Sequence, residues 1–157
     1  MELSTVLPAM VFGPILEEDF GVSVGAILDM MNGKYPIVPN WDMGVVDVRD
    51  VASLELLAMT KPEAAGKRFV CSAENMFMKD QNEYLSELFP ESASKIPKRV
   101  APNWLIKFLA LFLPALKMIA EGLGKERSMD SSRAKNLLGW NPRSAKEAVK
   151  SAAESAK

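Results

Sequence analysis

Leu3-Ser4-Thr5-Val6-Leu7-Pro8-Ala9-Met10-Val11-Phe12 is the stretch that decides the fold. Apolar residues fall on both alternating faces, and Gly13-Pro14 ends the run. Such a pattern reads as one strand inside a sheet covered on both sides, of the kind parallel sheets provide. A strand like this needs neighbours on either edge. Residues 44–48 form a later short β-prone run, and residues 68–72, RFVCS, read as a second buried strand.

Between and after these runs the spacing turns helical. Residues 22–31 have helical periodicity, with Asn32-Gly33 as a left-handed stop. Residues 35–40, with Pro36 and Pro39, read as an extended or edge segment. Asp50 is the expected N-cap of a helix over 51–60, ended by Lys61-Pro62. Residues 79–89 form an amphipathic helix stopped by Pro90. Residues 95–100 are extended and lead through Pro102 into two apolar helices that meet near Pro114. Asp130 is the expected cap of a helix over 131–138, closed by Gly139. Ser144-Ala145-Lys146-Glu147 is a capping-box pattern opening a final helix. Strands separated by helices, with a helical excess towards the C-terminus, make this an α/β chain.

The inventory of side chains narrows the chemistry. Among 157 residues there is no histidine, and Cys71 is the single cysteine. No His-based triad, His–Cys zinc site or internal disulfide can be assembled from them, and no metal site is expected. Cys71, inside a buried strand, reads as a small core hydrophobe. Residues 1–60 hold nine acids against Lys34 and Arg49, a net of −7, whereas residues 61–157 hold 17 bases and 11 acids, a net of +6. The bases are scattered among apolar residues as solvated faces, so nucleic acid is not an expected partner. The first residues lack the basic start and long apolar run of a secretory leader, and the expected location is cytoplasmic. The greasiest stretch, residues 104–120, is broken by Lys107, Pro114 and Lys117. It is too short to span a membrane and reads as a buried helix pair.

Catalytic motifs are conspicuous by their absence. A dinucleotide fingerprint needs closely spaced glycines between a strand and a helix. Gly122-Leu123-Gly124 is the one close pair, and it follows a helix, so it reads as a helix C-cap. A tyrosine acting as acid commonly needs a lysine one helical turn along. Four residues beyond Tyr35 is Pro39, and four beyond Tyr84 is Leu88. Glu17-Glu18-Asp19 reads as a solvated loop. Asp47 reads as a turn hydrogen-bonder beside the cap Asp50, with Arg49 able to fix that turn by an ion pair.

Three segments in order carry a family resemblance. Pro8-Ala9-Met10-Val11-Phe12-Gly13-Pro14 resembles the P-x-x-V-x-G-P stretch of the extended short-chain dehydrogenase/reductases. Val46-Asp47-Val48-Arg49-Asp50-Val51-Ala52 resembles their V-D-V-x-D-V-A stretch. Ser131 to Pro142, SSRAKNLLGWNP, resembles their near-terminal helix ending in L-G-W-x-P. Asn32-Gly33-Lys34-Tyr35-Pro36 sits where the family has a G-x-x-P segment, and Arg68-Phe69 matches a common start to its last sheet strand. The nearest branch is the dihydroflavonol reductase-like and NAD-dependent epimerase/dehydratase group.

The resemblance implies that residues 1–157 are the C-terminal, substrate-binding portion: incomplete Rossmann-type sheet strands plus a mostly helical substrate-binding domain. The family's G-x-x-G-x-x-G and Y-x-x-x-K precede the first matched stretch and are not on this chain, so no catalytic residue transfers. By resemblance, Pro8, Ala9, Met10 and Val11 run beside the nicotinamide of NAD or NADP, and Phe12, Gly13, Pro14 and Ile15 border the substrate. Few bases and the apolar Met10, Phe12, Phe20 and Met43 favour a small aldehyde, ketone or dihydroflavonol-like substrate over a nucleotide sugar, whose diphosphate needs Arg or Lys. The implied function is the substrate-binding portion of an NAD(P)-dependent reductase, inactive by itself. The alternatives are a degenerate, non-catalytic member with a binding or scaffolding role, part of a nucleotide-sugar epimerase/dehydratase, or a lipid-surface protein. A two-sided strand without its neighbours exposes edge groups, so a homo-oligomer is expected.

Overall fold

The computed structural model describes residues 2–16 and 21–156; Glu17-Glu18-Asp19 and Phe20 therefore lie outside the described residues. The chain forms two compact units, one of residues 1–24, 44–75 and 128–157, the other of residues 25–43 and 76–127.

In the first unit the founding stretch is two strands, not one. β1 (Thr5–Pro8) and β2 (Met10–Phe12) are separated at Ala9. β1 pairs in parallel with a later strand, Arg68–Cys71, placing Thr5 opposite Arg68 and Pro8 opposite Cys71. β2 pairs in parallel with β3 (Asp42–Asp47), placing Met10 opposite Val45 and Phe12 opposite Asp47. Pro8 has no N–H to continue one ladder, and this is where the chain changes partner. Arg68–Cys71 is β4, and the Ala9 N–H still donates to the Cys71 carbonyl at 3.0 Å. Nor is β1 buried along its length, since Leu7 is 40% exposed and Pro8 is exposed as well. β5 (Glu74–Phe77) joins the sheet in the order β2-β3-β5. It was not legible in the sequence because Glu and Asn are poor strand formers.

Helix α2 (Val48–Thr60) starts three residues before its expected first residue, Val51, and its cap is Asp47, not Asp50. Asp47 closes β3 with extended backbone, and its Oδ1 accepts the Arg49 N–H at 2.9 Å. Asp50 falls in the first turn and turns inward instead. A short 3₁₀ turn, Pro62–Ala64, follows. The apolar side of α2 packs on β4 around Val46, Leu54, Phe69 and Cys71, a core that also takes in Ala134, Leu138 and Trp140.

In chain order the second unit contributes α1 (Val22–Met31, of which residues 25–31 belong here), α3 (Met78–Leu88), α4 (Asn103–Leu109) and α5 (Lys117–Gly122). α1 stops as expected: the Lys34 N–H reaches the Asp29 carbonyl and the Gly33 N–H the Met30 carbonyl, the paired bonds of a Schellman turn. Residues 35–40 are extended, with a parallel bridge between Val38 and Val100. The expected buried helix pair is not what forms. Ile106 and Ala110 are buried, but Trp104, Phe108, Leu111, Phe112 and Leu113 are exposed. α4 is only seven residues long and buries one stripe, whereas the segment is apolar on all sides. Gly122 ends α5, and the Gly124 N–H donates to the Asn40 carbonyl, so the glycine pair serves a helix end as expected.

Back in the first unit, α6 (Ser132–Leu138) starts one residue later than expected and its N-cap position is Ser131, not Asp130, whose carboxylate accepts the Ser132 N–H at 2.8 Å from one residue further out. It ends at Gly139, whose φ of 67° is the left-handed conformation that a residue with a Cβ resists. α7 (Ala145–Ser155) opens as the capping pattern requires, with Ser144 Oγ accepting the Glu147 N–H at 3.2 Å. Its buried stripe, Ala145, Ala148, Val149, Ala152 and Ala153, consists almost wholly of alanine, which permits close packing.

Candidate functional site

The loop that leaves β2 forms one wall of an open cleft of about 470 Å³ in the first unit. Val11, Phe12, Gly13, Pro14, Ile15 and Leu16 line it from the strand end and loop. Gly21, Ser23 and Val24 line it from the start of α1, and Val48 from the start of α2. All four residues expected beside a substrate, Phe12 to Ile15, are brought together here. Of the four expected beside a nicotinamide, only Val11 lines the cleft; Pro8, Ala9 and Met10 lie in the paired strands or between them.

Gly13 sets the wall's shape. Its φ is 122°, and a Cβ there would stand 2.9 Å from Val48 Cγ1 and 3.0 Å from Asp47 Oδ1. Only glycine combines that backbone with that closeness. Beyond it, the Ile15 N–H donates to Ser155 Oγ at 2.9 Å, tying the loop to the end of α7. Ser151 lies one turn earlier on the same side of α7, and its Oγ accepts from Arg49 at 3.5 Å. Sequence reading missed Ser155, Ser23, Val24 and Val48. The one signal for Ser155 is its i, i+4 spacing from Ser151, which means nothing until the helix is placed against the loop.

Beneath the cleft lies a charged support. Asp47 is fully buried and takes Arg49 Nε at 2.8 Å and Nη2 at 2.7 Å, a two-point pair that bears out the expected turn-fixing role of Arg49. Burial pushes the Asp47 carboxyl up, but its bonds from the Arg49 side chain and backbone outweigh this and hold it below the usual carboxylate range. A lowered pKa in the folded state means the unfolded chain binds the proton more readily. The stabilisation is therefore complete above the unfolded pKa of about 3.9 and is lost as pH falls through the lower folded value. Asp47→Ala should cost about 1–2 kcal/mol at neutral pH, most of it the lost cap. The Arg49 pair adds less because that side chain is 40% exposed. In acid denaturation, the gap between variant and parent should close well below pH 4.

Both bases of residues 1–60 already have carboxylate partners. Arg49 is engaged with Asp47, and Lys34 pairs with Asp29 at 2.9 Å. Cys71 is buried and its thiol is pushed up to about 12, by burial first and then by the charges of Asp50 and Glu55. It is a core residue and no nucleophile. Among the described residues, no group of Cys, Asp and Glu is placed to hold a metal ion, and no helix is long and apolar enough to cross a membrane.

Parallel strands, intervening helices and a cleft at the strand's C-terminal end define a Rossmann-like α/β architecture. No family model matches the chain. It is 29% identical over 154 residues to the NADPH-dependent methylglyoxal reductase GRE2 of Saccharomyces cerevisiae, covering 94% of this chain and 41% of that protein. It is 34% identical over 90 residues to cinnamoyl-CoA reductase 1 of rice (Oryza sativa subsp. japonica), covering 57% of this chain and 26% of that protein. The crystal structure of the yeast Gre2 reductase with NADPH superposes with a TM-score of 0.71 at 26% identity, over 98% of this chain and 42% of that one. A nucleoside-diphosphate-sugar epimerase of Pseudomonas aeruginosa shares the fold, with a TM-score of 0.74 at 20% identity over 96% of this chain and 46% of that one. The chain is similar in sequence to these reductases and shares their fold, and it spans less than half the length of the proteins it matches.

Proposed function

We propose that this chain is the substrate-binding portion of an NAD(P)-dependent cytoplasmic reductase acting on a small aldehyde, ketone or dihydroflavonol-like carbonyl. The whole of residues 1–157 belongs to that portion. Phe12, Gly13, Pro14 and Ile15 border the substrate, and the backbone from Pro8 to Val11 faces the nicotinamide. The Gly-rich turn that binds the dinucleotide and the Tyr-x-x-x-Lys pair that moves the proton come from a further stretch of polypeptide, so this chain alone is inactive.

The observation that carries this reading is the cleft's lining. Among the described residues it offers aliphatic and aromatic surface with a single hydroxyl, Ser23, and no charged side chain. Such a pocket binds apolar carbonyl compounds through burial and leaves a sugar diphosphate without a partner. With Arg49 already engaged by Asp47, a nucleotide sugar is disfavoured.

Supplying in trans a polypeptide that carries G-x-x-G-x-x-G and Y-x-x-x-K should yield aldehyde-dependent oxidation of NADPH that neither polypeptide shows alone. Ile15→Asp should then lower kcat/KM roughly tenfold or more, since it places a charge in an apolar pocket. Aldehyde reduction by this chain alone would sink the proposal. The exposed Leu7 on β1, with Leu3 just before the strand, further supports a homo-oligomer that covers this part of the sheet. Sedimentation should show self-association at high concentration, and a clean monomer would count against it.

A further inference from the structure

The cleft wall at residues 13–15 is held at both ends by parts of the chain remote in sequence. At one end Gly13 lies on the start of α2, where an added Cβ would meet Val48 Cγ1 at 2.9 Å and Asp47 Oδ1 at 3.0 Å. At the other end the Ile15 N–H donates to Ser155 Oγ, 140 residues further on, at 2.9 Å. Pro14 between them has no N–H to give. The Ser155 hydroxyl works in both directions. Its own proton goes to the Ser151 carbonyl at 2.9 Å and is shared with the Ala152 carbonyl at 3.2 Å. That bond back to the preceding turn fixes the side chain and leaves the oxygen free to accept from the loop. Helix α7 brings the hydroxyl this near because it packs beside β2 and its buried stripe is mostly alanine.

We propose that Ser155 is a positioning residue for the cleft wall, acting through the Ile15 backbone to fix how far Ile15 stands into the pocket. Ser155 does not line the cleft itself, whereas Ile15 lines it together with Ser23 and Val24 of α1. Without the hydroxyl, the Ile15 N–H turns to water and the wall gains freedom at the end that Gly13 does not hold. The bond is exposed, so its loss is felt as motion of the wall and hardly as unfolding. That the wall borders a substrate rests on the reductase reading; the tether to α7 does not.

The test uses the full chain, isotope-labelled for NMR, with acetophenone as an apolar carbonyl probe, and compares Ser155→Ala with Ser155→Thr. In Ser155→Ala, amide exchange at Ile15 should quicken about tenfold, and acetophenone should bind roughly three- to tenfold more weakly, the scale of one neutral hydrogen bond. The urea midpoint and the exchange of the β3 and β4 amides should not move. Ser155→Thr keeps the hydroxyl and should restore both Ile15 exchange and affinity. Unchanged exchange or unchanged affinity in Ser155→Ala would overturn the proposal. So would an equal loss in Ser155→Thr, or a lowered urea midpoint with faster exchange throughout the first unit. If exchange at Ile15 responds and is rescued as expected while the parent chain shows no acetophenone binding, the tether stands and the reductase reading is what fails.

Discussion

Asp50→Ala is expected to lower the stability of the chain by about 1–3 kcal/mol. Asp50 is 3% exposed, and its Oδ2 accepts the Arg143 backbone N–H at 2.8 Å while Oδ1 accepts from the Arg143 guanidinium. Its own carbonyl accepts the indole N–H of the buried Trp140 at 2.9 Å. One residue in the first turn of α2 thereby anchors the connection between α6 and α7. Removing the carboxylate leaves the Arg143 backbone N–H without its partner, and this is the larger part of the cost, since the Arg143 guanidinium is 37% exposed and water can take the carboxylate's place there. Asp50→Asn keeps an acceptor for the N–H and should cost less. Urea unfolding measures both, and a loss under about 1 kcal/mol for Asp50→Ala would show the anchor to be unimportant.

Phe69→Ala should cost about 3–5 kcal/mol, the largest effect of any single truncation discussed. Phe69 is fully buried in β4, opposite Val6 of β1, and packs in the core with Leu54, Leu138 and Trp140. These neighbours come from three separate stretches of sequence, so they cannot all collapse into the space a phenyl ring leaves. The denaturant midpoint should fall while the slope stays unchanged. A cost below about 2 kcal/mol would mean that the site relaxes and that this core is less tightly built than its burial implies.

Much of this architecture is legible in the sequence because local rules and tertiary structure agree. The helix at 22–31 with its Gly33 stop, Ser144 capping α7, and the Gly139 end of α6 each follow from side-chain chemistry within one turn. What is not legible depends on distant partners. Asp47 and Asp50 are both plausible caps by type. The choice between them is made by Arg143, 93 residues beyond Asp50, which draws Asp50 inward. The division of residues 3–12 into β1 and β2 likewise follows from which strands stand alongside, β4 for one and β3 for the other. The same holds for the site. The wall at Phe12 to Ile15 was found through its motif, but Ser23, Val48 and Ser155 enter only when helices from elsewhere in the chain are brought to the loop. Burial was the least legible property: residues 104–113 are apolar enough for a core and yet expose five large side chains.

On the proposed function, this chain holds the substrate side of a reductase and depends on another stretch of polypeptide for the dinucleotide. Calorimetric titration of the purified chain with NADPH tests it most directly. No saturable heat is expected even at millimolar NADPH, because among the described residues no Gly-rich turn between a strand and a helix stands ready to receive the pyrophosphate. Tight, one-to-one binding of NADPH by the chain alone would contradict it.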